Sequence, residues 1–241
     1  MEIHKPKPWH NWREFLKEYA IIVLGVLTAL AGEQAVEKLH DRARASEARA
    51  SIHSEIADNL ARMNLRQAQE ACMAKRLDEI DGLIANYAQG IAPPATVWVG
   101  MPFTYLMHDS KYKAAVQTAA VSLFDDAEQA AYADLYAVFT VYWGEGQNEW
   151  RVWDDLRALE KRPPWSATLD WQLRSAMQHA RTVRFDIALG RQVATADAAA
   201  IGVAPGSLKN DSPGSLCLPL NTPRADAEKL AAKFGNTLPL P

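Results

Sequence analysis

Six histidines and two cysteines are the whole stock of soft metal ligands and thiol nucleophiles in this sequence, so metal and thiol chemistry can be weighed position by position. Glu37-x-x-His40 puts a carboxylate and an imidazole on one helix face, which is half of the pattern that holds a di-iron pair in a helical bundle. A complete centre needs a second Glu-x-x-His, yet neither His53 nor His179 has a glutamate three residues before it. A solvated helix face is the simpler reading, and neither metal ligands nor a cofactor are assigned. Cys72 and Cys217 are too few for a cysteine-built zinc site, and neither sits in a nucleophile motif. In an oxidising compartment the two would bond and tie the C-terminal tail to the first long helix. Two separate, reduced cysteines are the alternative.

Motifs for nucleophilic or phosphate chemistry are missing. There is no Gly-x-Ser-x-Gly elbow and no Gly-x-x-x-x-Gly-Lys loop, and Gly144-Glu145-Gly146 lacks the third glycine of a dinucleotide fingerprint. The carboxylate pairs Asp125-Asp126 and Asp154-Asp155 are chain neighbours, which point about 100° apart on a helix and cannot share a proton by spacing alone. No residue is assigned as catalytic. The densest aromatic stretch offers a candidate ligand pocket in Tyr142, Trp143, Trp150, Trp153 and Trp171, because large rings with polar handles line many such sites. Ordinary core packing is the competing use of the same rings. One charged residue stands out by phase: Arg184 falls inside the apolar arc of Leu173, Met177, Ala180, Val183 and Ile187. It must therefore extend to solvent or find an acid, for which Asp134 is the nominated partner.

These residues need helices to carry them. With 49% apolar and 23% charged residues in 241, the chain has a globular composition and enough length for one helical domain with an appendage. A formal charge of -3 without a basic cluster argues against a nucleic-acid partner. After Gly32 no proline occurs until Pro93, and apolar residues recur at helical spacing through Val36, Leu39, Ile52, Ile56, Leu60, Met63, Leu77 and Ile84, which predicts one long helix. Gly90 to Pro102 is a connection in which Val97-Trp98-Val99 reads as extended, and Lys111 to Phe124 is helical again. Asp125 with Glu128 has capping-box spacing, so a helix starts at Asp126; Gly144 and Gly146 should weaken or kink it before Pro163-Pro164 end it. Ser166 caps a last helix to about Ala200, and a Pro- and Gly-rich tail follows with a short helix near Asp226 to Phe234.

The segment Tyr19 to Gly32 (YAIIVLGVLTALAG) carries no charge over fourteen residues. At about 1.5 Å per residue it covers about 21 Å, short of the ~30 Å core of a bilayer. Adding Phe15, Leu16, Ala35 and Val36 closes the gap, with Lys17 reaching outward, Glu33 at the boundary and Trp9, Trp12 and Tyr19 in the interfacial belt. A cleaved signal peptide, with Ala29-Leu30-Ala31 as its small-x-small site, and a buried core helix are the alternatives. Lys5, Lys7, Arg13 and Lys17 on one side balance Lys38, Arg42, Arg44 and Arg49 on the other, so basic residues do not fix orientation; the short lead is placed in the cytoplasm. Gly25-x-x-x-Ala29 is a small-x-x-x-small pattern that supports helix pairing.

Residues 13–39 (REFLKEYAIIVLGVLTALAGEQAVEKL), with the later SIHSEIADNL, resemble a widespread group of bacterial single-pass membrane proteins without an assigned activity. In that group Phe-Leu-x-Glu precedes an apolar run ending Ala-Leu-x-x-x-Gln, as Phe15 to Glu18 and Ala29 to Gln34 do here. Tyr112 to Val116 and Leu123-Phe124 are similar to the group's second helix, so the likeness covers about residues 13–160. It implies anchoring and helicity and carries no site residues.

The expected fold is all-α: a long transmembrane-plus-extramembrane N-terminal helix, about three further helices packed as an elongated bundle, and an irregular tail. The expected organisation is a cytoplasmic lead (1–18), a transmembrane segment (15–36), an extracytoplasmic helical domain (37–201) and the tail (202–241). The expected role is a non-enzymatic interaction module in the inner membrane with a periplasmic domain, touching the bilayer through Tyr19–Gly32 and binding a protein partner or itself. A small-ligand sensor is the close variant, although the short lead leaves little room for an output domain. An enzyme with an unrecognised helical site and a soluble helical protein are the remaining alternatives.

Overall fold

The computed structural model describes residues 12–95, 97–208, 217–223, 225, 226 and 229. Among the described residues five α-helices are delimited: α1 (Trp12–Gln67), α2 (Glu70–Ala88), α3 (Ser110–Gln117), α4 (Asp126–Leu156) and α5 (Ala167–Ala200), with 3-10 turns at Val121–Leu123 and Arg157–Lys161. Among the described residues no strand forms, and the fold is all-α. The expected short helix near Asp226 to Phe234 and the lead before Trp12 lie largely outside the described residues.

The caps are local chemistry. The Asp125 carboxylate accepts from the Glu128 N–H at 2.8 Å and starts α4 at Asp126. The Ser166 hydroxyl accepts from the Leu169 N–H at 3.1 Å and starts α5. The long N-terminal helix runs from Trp12 to Ala88 as expected, with a local turn at Ala68-Gln69 that divides α1 from α2: the Gln69 N–H bonds back three residues to Arg66, and Met73 then bonds to Gln69. Two expectations need correction. The stretch Lys111 to Phe124 divides into α3 and a 3-10 turn, separated by Ala119 at φ 56°. Gly144 and Gly146 do not break α4, because thirty-one residues of packed helix carry them.

Cross-helix partners give the topology. Arg49, His53, Glu55 and Arg66 of α1 meet Glu128, Tyr132, Tyr136 and Glu149 of α4 in ascending order, so α4 runs parallel to the outer part of α1. α5 returns antiparallel, with Arg191 on Asn64, Arg184 on Glu70 and Arg181 on Asp81. The buried apolar residues fall into two clusters along this axis. One gathers Ile52, Ile56, Leu60 and Met63 with Tyr136, Phe139 and Ile187. The other gathers Met73, Leu77, Ile80 and Ile84 with Trp153, Leu156 and Met177. A charged layer lies between them.

Candidate functional site

That layer is built from Arg66 and Glu149, whose side chains are 2% and 1% exposed. Arg66 Nε donates to Glu149 Oε2 at 3.1 Å and Nη2 donates to Oε1, a fork-to-fork pair. The Thr104 hydroxyl donates to the same Oε2 at 3.3 Å. Arg66 Nη1 lies 3.8 Å from Glu70, whose carboxylate also receives Arg184. Burial pushes the Glu149 carboxyl up, against the pull of Arg66 and the Thr104 hydroxyl. Gly146 is required here: a Cβ would sit 2.2 Å from the Thr104 methyl. The carboxylate is therefore enclosed and fully partnered, which suits it to fixing the register of α1, α4 and α5.

A second set of buried polar groups holds the connection between α2 and α3. Residues 97–109 run as an extended strap beside α1 and α2, and helix side chains take the place of a neighbouring strand. Arg76 donates to the carbonyls of Trp98, Val99 and Leu218, and Val99 N–H donates to Glu160 at 3.0 Å. The Gln69 amide donates to the Phe103 carbonyl and accepts from its N–H, both at 3.0 Å; Asn59 does the same at His108, at 2.7 and 2.8 Å. The spacing explains why two amides suffice. Ten helical residues from Asn59 to Gln69 cover about 15 Å, and five extended residues from Phe103 to His108 cover about 17 Å. At the strap's end Glu55 accepts from the N–H groups of Lys111 and Tyr112 at 2.9 and 3.2 Å and from the Tyr136 hydroxyl at 2.8 Å, so a buried carboxylate caps α3.

A third cluster lies toward the start of α4. Arg49 makes a two-pronged pair with Glu128 at 2.5 and 2.8 Å. The Tyr132 hydroxyl donates to Glu128 at 2.9 Å, which leaves its oxygen to accept from His53 Nε2 at 2.7 Å. The arginine hydrogen bond holds Glu128 below the usual carboxylate range, while burial pushes the His53 imidazole below its ordinary value.

The five aromatics expected to form one pocket do not converge. Along α4, Tyr142, Glu149 and Trp153 are separated by seven and four residues and share the inward face; Trp143 and Trp150 share a face about 100° away. Tyr142 and Trp153 are buried, Trp143 and Trp150 stack edge-to-face at 5.8 Å on the outside, and Trp171 is 70% exposed. Only Trp171 lines the cleft between the end of α4 and the start of α5, a space of about 840 Å³ with Asp154, Asp155, Arg157, Glu160, Lys161 and His179 around it. Arg157 there is engaged by Glu160 at 3.3 Å.

The proposed ion pair of Arg184 with Asp134 is also corrected. Asp134 sits on the solvent face of α4, and Arg184 binds Glu70, because antiparallel α5 meets the α1–α2 junction at that height. Cys72 and Cys217 are joined by a disulfide that closes 145 residues of sequence. Glu37 and His40 are exposed on α1, and among the described residues no group of three metal-binding side chains forms. Sequence reasoning missed Glu55, Asn59, Arg66, Arg76 and Glu149. The signal was present: Glu55, Asn59 and Arg66 interrupt the apolar phase of Ile52, Ile56, Leu60 and Met63 just as Arg184 interrupts that of α5. Compared with protein-family models, with curated proteins and with solved structures, the chain gives no match.

Proposed function

We propose that this chain is a single-pass bacterial inner-membrane protein whose short lead lies in the cytoplasm and whose helical domain (37–201) is a non-enzymatic periplasmic interaction module. The observation that carries the reading is the surroundings of the apolar run. Its most apolar 18-residue window has a mean hydropathy of 1.7 and none of it is buried by the rest of the fold. A core helix would be covered; here Ile21, Ile22, Leu24 and Leu27 stand exposed around the whole circumference. Leaving each such side chain in water forgoes about 1.5–3 kcal/mol of burial, and a bilayer supplies it. The 22 residues from Phe15 to Val36 (36 − 15 + 1) rise about 33 Å, which matches a hydrocarbon core of about 30 Å.

Two further features support the placement. α1 passes unbroken through Ala29-Leu30-Ala31 and into residues that pack in the domain, which favours a retained anchor over a cleaved leader. The Cys72–Cys217 bond favours an oxidising compartment for the domain, a direction that the balanced basic flanks do not give. The interaction role draws support from the structural work of the buried carboxylates: Glu55 caps a helix and Glu149 neutralises Arg66. The test is fractionation. The chain should resist carbonate and high salt and leave the membrane only with detergent; release without detergent refutes the anchor. A periplasmic reporter fused after Pro241 should be active, and activity of a cytoplasmic reporter instead reverses the orientation.

A further inference from the structure

The half of α1 that the domain leaves bare carries a repeat for which the domain supplies no partner. Reading a heptad from Ile22, its two core positions are Ile22, Ala29, Val36, Ala43 and Ala50, and Gly25, Gly32, Leu39 and Ser46. All nine are exposed, with Ile22, Val36 and Leu39 between 55% and 64%. A Cβ added at Gly25 or Gly32 would meet nothing within 4 Å. The next two positions, His53 and Ala57, are where the fold takes over: His53 bonds Tyr132, and the Ala57 carbonyl accepts from Gly206. The seam therefore runs from within the span to the point where the domain covers the helix, and stops there.

We propose that a second copy of this chain docks along this seam, giving a parallel two-helix coiled coil through membrane and stalk. Charge complementarity selects that occupant. In a parallel pair the residue before one core position faces the residue after the next on the other helix, and these are Arg42 and Glu47. Both are exposed, and among the described residues neither takes part in an ion pair, while their neighbours Arg44 and Arg49 bind Asp41 and Glu128. Two copies in register form the Arg42 to Glu47 pair twice. A second chain with the same residues at the same depth satisfies both pairs at once, and a shared membrane gives both copies one direction. Small residues at Gly25, Ala29 and Gly32 let the helices approach within the lipid, where close packing drives association. The bodies do not collide: Ile52, which enters the core, follows Ala50 by two residues and points about 160° away from it. The direction of pairing rests on the anchor reading above.

The experiment is disulfide trapping of the full-length chain in native membranes. Ala43→Cys and Ser46→Cys lie on the seam; Glu37→Cys and Lys38→Cys are exposed off it. Under mild oxidation the seam variants should give severalfold more covalent dimer on a non-reducing gel than the off-seam pair. Equal or absent cross-linking from all four, in chain that stays with the membrane after carbonate washing, overturns the pairing and leaves the anchor standing. Chain released by carbonate overturns the anchor, and parallel pairing with it. In the Ser46→Cys background, Arg42→Glu alone should reduce the dimer severalfold and Arg42→Glu with Glu47→Arg should restore it. A reduction that the double reversal fails to restore overturns the parallel register, and so does a single reversal without effect.

Discussion

The two halves of α1 place their residues in opposite ways. From Trp12 to about His40 the apolar side chains face outward and none of the described residues beyond the helix covers them; from Asp41 to Gln67 the helix buries Glu55, Asn59 and Arg66 along with its isoleucines. One continuous helix thus turns its oily residues out at one end and takes charge in at the other. Under the anchoring proposed above, the difference lies in what each half has for a neighbour. A helix facing lipid needs no partner for its leucines, whereas a helix inside a bundle can bury a charge only if other helices bring the opposite charge and the remaining hydrogen bonds to it. The outer half meets that condition through Glu149, Thr104 and Glu70.

The largest blow to the contrast falls on the charged layer. Glu149→Ala should destabilise the detergent-extracted protein by about 3–5 kcal/mol, because Arg66 stays buried without its carboxylate. Arg66→Met with Glu149→Leu should recover most of that loss, since the layer would join the two apolar clusters flanking it. Denaturant midpoints of the three variants measure this; a double variant as weak as the single would show that the layer needs charge as such. The inner half should respond in the opposite sense. Leu24→Arg, near the middle of the exposed run, leaves the domain's unfolding midpoint unchanged, but costs about 2.5–3.5 kcal/mol of membrane insertion, read as chain lost from the carbonate-resistant fraction.

What could be read from the sequence divides at the same boundary between local and distant chemistry. Asp125 and Ser166 each bond an N–H three residues on, so the starts of α4 and α5 were legible, as was the apolar run. The strap was not, because Gln69 and Asn59 reach backbone 34 and 49 residues away. The phase of Arg184 showed that it needed an acid, but choosing Glu70 over Asp134 depends on how α5 slides along its neighbours, which no single helix encodes. The aromatics of α4 were grouped by proximity in sequence although their spacing already divided them between two faces.

The strap sharpens the comparison at intermediate scale. Asn59→Ala removes both hydrogen bonds to His108 and should cost about 1 kcal/mol, the low end of the range for a lost amide partner, because His108 is exposed and its backbone can recruit water. Hydrogen exchange is the better readout. Protection should fall across 103–109 and stay unchanged in α4; uniform loss would mean that the strap and the bundle open together.

The smallest effect separates two ion pairs by pH. Arg49–Glu128 is partly open to solvent, with the arginine side chain 40% exposed, and Glu128 is held below its ordinary value of 4.5. A depressed carboxyl contributes stability that is present above the unfolded value and lost as pH falls through the folded one. Glu128→Gln should therefore cost no more than about 1 kcal/mol at neutral pH, discounted for screening, and the cost should begin to shrink as pH falls below 4.5 and be gone once it has passed through the folded value. Glu149 has the reverse sign. Its carboxyl is raised by burial, so its contribution is fully present below the unfolded value and is lost as pH rises through the folded one. On acidification the stability gap between wild type and Glu128→Gln should close, while the gap between wild type and Glu149→Gln should widen. Parallel curves would show that Arg66 outweighs burial and that both carboxylates are governed by their arginines.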